Sequence, residues 1–359
     1  MEEMMSYLSE EEKRAGVVIA QEWAKKQFGL FDQEFCRDAL DAYQFKALQE
    51  TLIFAHAYCP YYKKKFAMLP EIKSMSDFTQ LPFVQNRDLV NHGLNFVSTK
   101  KEGFSELQSF RTSGTSGVFK RVWFSSEDLE RSERFISHFL GNILPADSKI
   151  LLLRGHPIWE QAFRFVANAL RRAGVDFVAG PAKPFDEADI DEYYFPDVNG
   201  VVGSPDILHR IAVSPLGKKY KNQIDNVIVS SDILMDFMRE DIFKAWGCSV
   251  YDHYGSVESG LSAGIECKQS SGYHVREMDL YLEIIDPETG AVLPDGEQGE
   301  IVLTTLGERA MPLIRYRSGD IGSITRQRCK CGSPLMRIER IVGRYDGTGQ
   351  VVFMAKGKF

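Results

Sequence analysis

The sequence predicts an α/β protein in which a mostly parallel sheet, covered by helices, is followed by a β-rich segment. Three observations carry this. Between 149 and 251, short apolar runs alternate with helical stretches, the pattern of parallel strands joined by crossover helices. After Glu258 helical periodicity stops and strand-like runs separated by turns take over. Ahead of both, residues 1–66 are rich in helix formers, with Leu40, Ala47, Leu48, Leu52 and Phe54 near helical spacing. With 359 residues, 44% of them hydrophobic, the chain can bury one large core or two ordinary ones.

Along the chain, the helical lead-in ends at Cys59-Pro60, and two short helices are expected after Ser76 and Asn86, residue types that cap helix N-termini. Strands are expected at 106–110 and 121–124. The alternating region follows, with strands at 150–153, 177–178, 201–202, 227–229 and 249–251 and helices at 159–173, 186–194, 205–213 and 235–246. The β-rich part contributes strands at 280–285, 300–304, 313–316 and 335–342, with a turn at 286–290. The expected organisation is a helical part at 1–105, an α/β nucleotide-binding core at 106–262, a β-rich subdomain at 263–343 and a terminal segment at 344–359.

Charge and composition exclude several classes. Lys plus Arg number 43 against 50 Asp plus Glu, a net charge of -7, so nothing draws the chain to nucleic acid or an anionic membrane. The N-terminal residues are acidic where a secretory signal is basic, and no apolar run is long enough to span a bilayer, so the expected address is the cytoplasm. In that compartment the 6 cysteines are expected as thiols or metal ligands rather than disulfides. Basic triplets such as Lys63-Lys64-Lys65 are a solvated surface.

Three stretches point to chemistry. Thr112, Ser113, Gly114, Thr115, Ser116 and Gly117 put four hydroxyl residues and two glycines between two strands, with Lys120 just beyond. Such a loop can surround phosphate oxygens with amides, hydroxyls and one cation, although an ordinary Ser/Gly linker has the same composition. It is not a Walker loop, which ends in Gly-Lys-Ser/Thr and opens a helix. The second stretch, 251–258, ends the last strand of the alternating region, the edge at which open parallel sheets bind ligands. There Tyr254 offers an aromatic face, Gly255 a close backbone approach, and Glu258 a hard oxygen ligand for Mg²⁺, or else the stretch is a surface turn. In the third, 311–320, Asp320 follows a glycine turn and can accept hydrogen bonds from ribose hydroxyls, or belong to a plain hairpin.

Together and in this order, the three stretches resemble the adenylate-forming enzymes, specifically the phenylacetate-CoA ligase branch of the acyl-CoA synthetase superfamily. Residues 112–120 resemble its phosphate loop, 254–258 its Tyr-Gly-x-Thr/Ser-Glu motif and 312–320 its Pro-Leu-Ile-Arg-Tyr-Arg-Thr-Gly-Asp motif. Residues 77–83 and 341–346 also match, the latter the hinge before the family's small C-terminal domain. The resemblance implies the large N-terminal domain of such an enzyme. It implies ATP phosphate binding by Thr112, Ser113, Gly114, Thr115, Ser116, Gly117 and Lys120, and adenine binding by Ser231, Asp232, Asp252 and Tyr254. Glu258 would hold Mg²⁺, Asp320 and Arg344 the ribose, and Lys120 and Glu258 are the catalytic candidates.

The sequence departs from the pattern at Phe119, where the loop usually has Pro, and at Val257, where a hydroxyl residue is usual; one lost neutral hydrogen bond costs about 1 kcal/mol. The sequence also stops at Phe359, soon after the hinge, and Lys356 and Lys358 lie too near the hinge to match the family's adenylation lysine. A truncated form, or a split enzyme with a separate lid domain or partner subunit, is therefore expected, with weak adenylation and no thioester synthesis by this chain alone.

Cys267 and His274, with six residues between them, and the Cys329-Lys330-Cys331-Gly332 knuckle supply three thiolates and one imidazole, a sufficient tetrahedral set for Zn²⁺. The spacing is not that of a standard finger and leaves unlinked loop cysteines open; the resemblance implies a closed, structural zinc site at these four positions. Cys36, Cys59 and Cys248 read as buried small apolar residues, His138 as helix packing or surface, and His253 as a neighbour of Tyr254 for which contact with substrate is the less favoured reading.

The function expected from the resemblance is activation of a small-molecule carboxylic acid, by default aromatic, with ATP and Mg²⁺ to an acyl adenylate, coenzyme A then displacing AMP. The alternatives are a nucleotide- or acyl-adenylate-binding scaffold and an enzyme that adenylylates a phenolic cofactor.

Overall fold

The computed structural model describes residues 36–100, 106–112, 119–154, 160–180 and 197–345, and the backbone of 351–353. The described chain opens with helices α1 (Arg37–Tyr58), α2 (Pro60–Lys65), α3 (Met75–Thr79) and α4 (Asn86–His92). Next come strands β1 (Leu107–Arg111) and β2 (Arg121–Ser125), helix α5 (Ser126–Ile143), β3 (Lys149–Leu152), α6 (Glu160–Arg172), β4 (Asp176–Ala179) and β5 (Gly200–Gly203). Helices α7 (Pro205–Val213) and α8 (Pro215–Lys219), β6 (Asn226–Val229), α9 (Asp236–Trp246), β7 (Ser249–Tyr254) and β8 (Gly264–Glu266) complete the alternating region. The last strands are β9 (Tyr273–Val275), β10 (Leu280–Ile285), β11 (Gly299–Thr305), β12 (Tyr316–Thr325), β13 (Arg337–Tyr345) and β14 (Val351–Phe353). The helix expected at 186–194 lies outside the described residues.

The chain forms two compact units. One combines Met1–Phe104 with Cys267–Arg340, the other Ser105–Glu266 with Ile341–Phe359. In the first unit, α1 buries the stripe Leu40, Gln44, Ala47, Leu48, Thr51, Leu52 and Ala55, spaced three to four apart as one helix face requires. Its polar members are placed to satisfy backbone. Gln44 Nε2 donates to the carbonyls of Glu277 at 2.9 Å and Leu280 at 3.1 Å, and Thr51 Oγ1 accepts from Gly307 N at 2.8 Å. Helix α3 begins two residues before the expected position, because Ser74 and Asp77 form a reciprocal capping box that fixes the entry at Met75.

Strands β10, β11 and β12 form an antiparallel meander, and the start of β13 pairs with β9. The strand expected at 313–316 instead begins at Tyr316. Arg315 has φ 49°, which breaks an extended ladder, and the preceding backbone is tied by side chains: Thr304 Oγ1 accepts from Arg315 N at 2.9 Å and Thr305 Oγ1 from Leu313 N at 3.0 Å. The Arg315 guanidinium is buried, bidentate to Glu283 at 3.0 and 2.9 Å, and also donates to the carbonyls of Thr79 and, at 2.6 Å, Leu81.

In the second unit, β1 and β2 form a hairpin whose ends carry Thr112 and Lys120. The sheet runs β4-β3-β5-β6-β7, all parallel, with β8 antiparallel to β7. Strands β5 and β6 are almost wholly buried and rich in valine, as strands covered on both faces must be. Val201, Val227 and Val229 pack with Leu208, Ile211, Ile242 and Trp246 of α7 and α9, each such side chain contributing about 1.5–3 kcal/mol by leaving water. Strand β4 extends the sheet on one side of β3 and β5 on the other, so the chain reverses direction across the sheet at β3 and β5. Ligands of open α/β sheets bind beyond the carboxyl ends of strands at such a reversal. Among the described residues, no helix is long and apolar enough to cross a membrane.

Candidate functional site

A cavity of about 290 Å³ opens at that reversal. Leu152 ends β3 and Leu153 follows it, Ser204 follows β5, Ser230 and Ser231 follow β6, and Phe163 of α6 supplies an aromatic wall. The cavity is therefore apolar at its sides and hydroxylated where the strands end. Ser231 adopts φ 84°, a left-handed conformation that disfavours L side chains and is held at the cavity rim. Asp232 also lines the cavity, and its Oδ1 accepts from Ile233 N at 2.8 Å.

The loop expected to bind phosphate is described only at its ends: Ser113, Gly114, Thr115, Ser116 and Gly117 lie outside the described residues. The ends are tied together, Thr112 N donating to Lys120 O at 3.1 Å. Lys120 and Glu258 are both buried, at 7% and 6% exposure, and form an ion pair through Lys120 Nζ and Glu258 Oε1. The pair brings together the two expected catalytic residues, 138 positions apart (258 − 120), from the strand following the loop and the turn following β7. A divalent cation at Glu258 would share this carboxylate with Lys120.

The turn after β7 is compact. Glycine at 255 serves the chain's own packing rather than a ligand's approach, since a Cβ there would sit 2.4 Å from Leu261 O, and Leu261 itself has φ 68°. Ser256 and Ser259 exchange hydrogen bonds across the turn, with Ser256 N donating to Ser259 Oγ at 2.9 Å and Ser259 N to Ser256 Oγ at 3.2 Å. Gly255→Ala should therefore lower stability by about 1–3 kcal/mol through backbone overpacking and displace Glu258. A calorimetric melt checks the first and nucleotide titration the second.

Asp252 and Tyr254 end β7, and Asp252 is buried. Glu266 on β8, a residue with no signature in the sequence, accepts from Asp252 N and from Arg239 Nη2, each at 2.8 Å, and so fixes the strand end that carries the motif. His253 Nδ1 lies 3.1 Å from Ser230 Oγ, its buried Nε2 has no hydrogen-bond partner among the described residues, and burial pushes the imidazole down to about 4. Arg344 lies on β13 opposite Val352 of β14, so the backbone at this end of the expected hinge is in a strand pair; Asp346 lies outside the described residues. Asp320 belongs to the first unit, buried within β12 rather than in a hairpin turn.

The first unit also holds the cysteine cluster. Cys267, His274, Cys329 and Cys331 bring three sulfurs and one ring nitrogen within 4.8 Å of one another. Cys267 and Cys329 Sγ are 3.8 Å apart, and Cys331 Sγ is 3.5 Å from His274 Nε2. A tetrahedral ion with bonds of about 2.3 Å to sulfur and about 2.05 Å to nitrogen sets two sulfurs about 3.8 Å apart and a sulfur about 3.6 Å from the nitrogen. Both printed separations match these values, so the four residues could hold one tetrahedral ion.

Hydrogen bonding with Cys329 and Cys331 drives the Cys267 thiol strongly upward, and the same sharing with Cys267 drives Cys329 strongly downward. Burial opposes charge on His274, but the neighbouring sulfurs of Cys329 and Cys331 outweigh it and push the imidazole up to about 9. Gly332, with φ 89°, makes the tight turn after the knuckle. Cys59 and Cys248 are buried, and burial pushes both thiols up to about 12, as expected of small apolar residues; Cys36 is partly exposed. His138 is also largely buried, which pushes it down to about 4.

No protein-family profile matches the chain. Sequence relatives include the phenylacetate-coenzyme A ligase of Pseudomonas putida, 26% identical over 325 residues that cover 86% of this chain and 71% of that protein. The phenylacetate-coenzyme A ligase of Escherichia coli strain K12 is 25% identical over 320 residues, covering 86% and 72%. Among solved structures, 2-hydroxyisobutyryl-CoA ligase in complex with R3-HIB-AMP matches with a TM-score of 0.73 at 20% identity, over 86% of this chain and 69% of that one. ATP-bound MatB from Rhodopseudomonas palustris matches with a TM-score of 0.51 at 20% identity, over 68% of this chain and 50% of that one. Those two likenesses concern the fold.

Proposed function

We propose, from the premise that this chain is a distant homologue of the phenylacetate-CoA ligases with the fold of the adenylate-forming enzymes, that it activates a carboxylic acid with ATP to an acyl adenylate. The observation that carries this is the buried Lys120–Glu258 pair, which joins the strand leaving the phosphate loop to the turn after β7. In the proposed reaction the acid's carboxylate attacks the α-phosphorus and pyrophosphate departs, so no side chain need form a covalent bond. What the protein supplies is alignment and charge. Lys120 faces the developing negative charge, Thr112 and the loop after it hold phosphate oxygens, and Tyr254 and Asp252 take the adenine. Mg²⁺ held at Glu258 supplies further neutralisation of the phosphates. The apolar cavity beside Phe163 and Leu153 accepts the acid's hydrocarbon portion, consistent with an aromatic acid.

The cysteine cluster is assigned to a structural Zn²⁺, because all four tetrahedral positions are filled by protein. Coenzyme A is the proposed acceptor in the second half-reaction.

The test is ATP–pyrophosphate exchange with the purified chain across aryl and alkyl acids. Acid-dependent exchange, strongest for an aryl acid, is the expected result. Retained ATP binding with no exchange for any acid would move the reading to a nucleotide-binding scaffold, and AMP found on a phenolic acceptor would move it to cofactor adenylylation.

A further inference from the structure

Three serines line the cavity beyond β5 and β6, and their hydroxyls are engaged differently. Ser204 Oγ donates to Asp206 Oδ1 at 2.6 Å, so its hydrogen is taken. Ser231 is exposed at the rim. Ser230 is tied on both sides: its N donates to Gly203 O of β5 at 3.0 Å, and its Oγ lies 3.1 Å from His253 Nδ1 on β7, one step beyond the pairing of Val229 with Asp252. All of these residues belong to the second unit.

His253 is a costly side chain for that position. Its Nε2 is buried with no hydrogen-bond partner among the described residues, a penalty that an apolar residue of the same size would not carry. The contact with Ser230 is therefore where the polarity of the imidazole is used. With burial pushing it down to about 4, the ring carries one N–H at neutral pH. If Ser230 donated to Nδ1, that N–H would sit on Nε2, a buried donor with no acceptor. With the hydrogen on Nδ1 and donated to Ser230 Oγ, Nε2 is a bare acceptor, and under-satisfied buried acceptors are more common in folded proteins than orphaned N–H groups. That tautomer leaves the Ser230 hydrogen free to be donated into the cavity.

We propose that Ser230, its oxygen held by His253, is a specificity-determining residue that donates a hydrogen bond to a neutral oxygen acceptor, an ether, carbonyl or hydroxyl, on the hydrocarbon portion of the substrate acid. This rests on the reading that the cavity takes that portion. The rest of the lining agrees with one such acceptor. Leu152, Leu153, Phe163 and Val202 offer it no competing partner, and the carboxylates of Asp206 and Asp232 disfavour a second negative charge on the acid. His253 is a positioning residue that acts through Ser230.

The test is titration calorimetry of the purified chain with benzoic and phenylacetic acids that carry a methoxy or an ethyl group at each ring position. The two groups are close in size, and the ether oxygen can only accept. Wild type should prefer the methoxy acid at one ring position by about fivefold, the yield of one neutral hydrogen bond. Ser230→Ala should lower that ratio to within about twofold, as should His253→Phe, which keeps a ring but not the N–H. His253→Asn, whose amide can place an N–H where Nδ1 stands, should keep it above about threefold. No preference in wild type, no binding of any acid, or an equal loss for both acids in Ser230→Ala overturns the proposal. So does a ratio unchanged by His253→Phe, or one that His253→Asn fails to retain. Should His253→Phe not fold, the Ser230→Ala and His253→Asn ratios decide. Pyrophosphate exchange with the same acids keeps the two readings apart, because absent exchange with a retained methoxy preference refutes acid activation and leaves Ser230 as the selecting residue.

Discussion

Cys329→Ser protein is expected to carry well under one zinc per chain, against one in wild type, and to melt at a clearly lower temperature. Cys329 Sγ lies 3.8 Å from Cys267 Sγ and 3.4 Å from Ser271 Oγ, and it accepts from Cys331 N at 3.5 Å. Serine is a poor substitute for a thiolate, so three ligands remain where a closed site needs four. An ion held by both the 267–274 and the 329–331 stretches would add its binding energy to the strand pairing of β9 with β13, so metal binding energy would be folding energy here. The loss should exceed about 4 kcal/mol, a magnitude reserved for few single substitutions, metal-site loss among them. Elemental analysis and calorimetry check it, with chelator-treated wild type as the reference. Zinc-free wild type that melts like untreated wild type would remove the metal from the account.

Lys120→Met should abolish acid-dependent exchange and also destabilise the second unit, two effects that separate on adding a second substitution. Removing the cation takes its ion-pair partner from Glu258 at 6% exposure, and breaking a buried pair from one side costs about 3–5 kcal/mol. Replacing both as Lys120→Met with Glu258→Gln removes the stranded charge, so stability should recover by more than half while exchange stays absent. Parallel denaturation and exchange assays on the two proteins check this. Exchange that returned with stability would show that the pair is structural.

Strands β3, β5 and β6 and helices α6, α7 and α9 are legible in the sequence because apolar runs of four alternate with amphipathic stretches capped by Ser, Pro or Gly. The same reasoning fails at 313–316, where an apolar run looks like a strand but Arg315 turns left-handed under the pull of Glu283 and the 79–81 carbonyls. No local pattern announces a partner more than two hundred residues away. Strands β8 and β9 are three residues each, too short to show alternation. The residues expected at the site show in the sequence as residue types at fixed offsets. Glu266, which accepts from Asp252 N, and Glu300, which accepts from Gly319 N beside the irregularity in the β11–β12 ladder, are isolated carboxylates in ordinary strands until the fold gives them neighbours. The cluster of Cys267, His274, Cys329 and Cys331 lies between these cases, its members visible and its closure visible only in three dimensions.

The first unit is assembled from two stretches of chain interrupted by most of the second. Its contacts span great sequence distances, 233 positions from Gln44 to Glu277 and 256 from Thr51 to Gly307. On a ribosome, α1 to α4 therefore emerge with their apolar faces exposed and stay so until β10 to β12 have been made. The intervening α/β unit, whose contacts are largely between neighbouring crossovers, can condense meanwhile. Long loop closures delay the first unit, which makes it the slow step and the aggregation-prone stage of biosynthesis. A release of the chain anywhere between 105 and 266 leaves α1 helices with nothing to cover them, and such fragments should be chaperone clients or protease substrates rather than stable proteins.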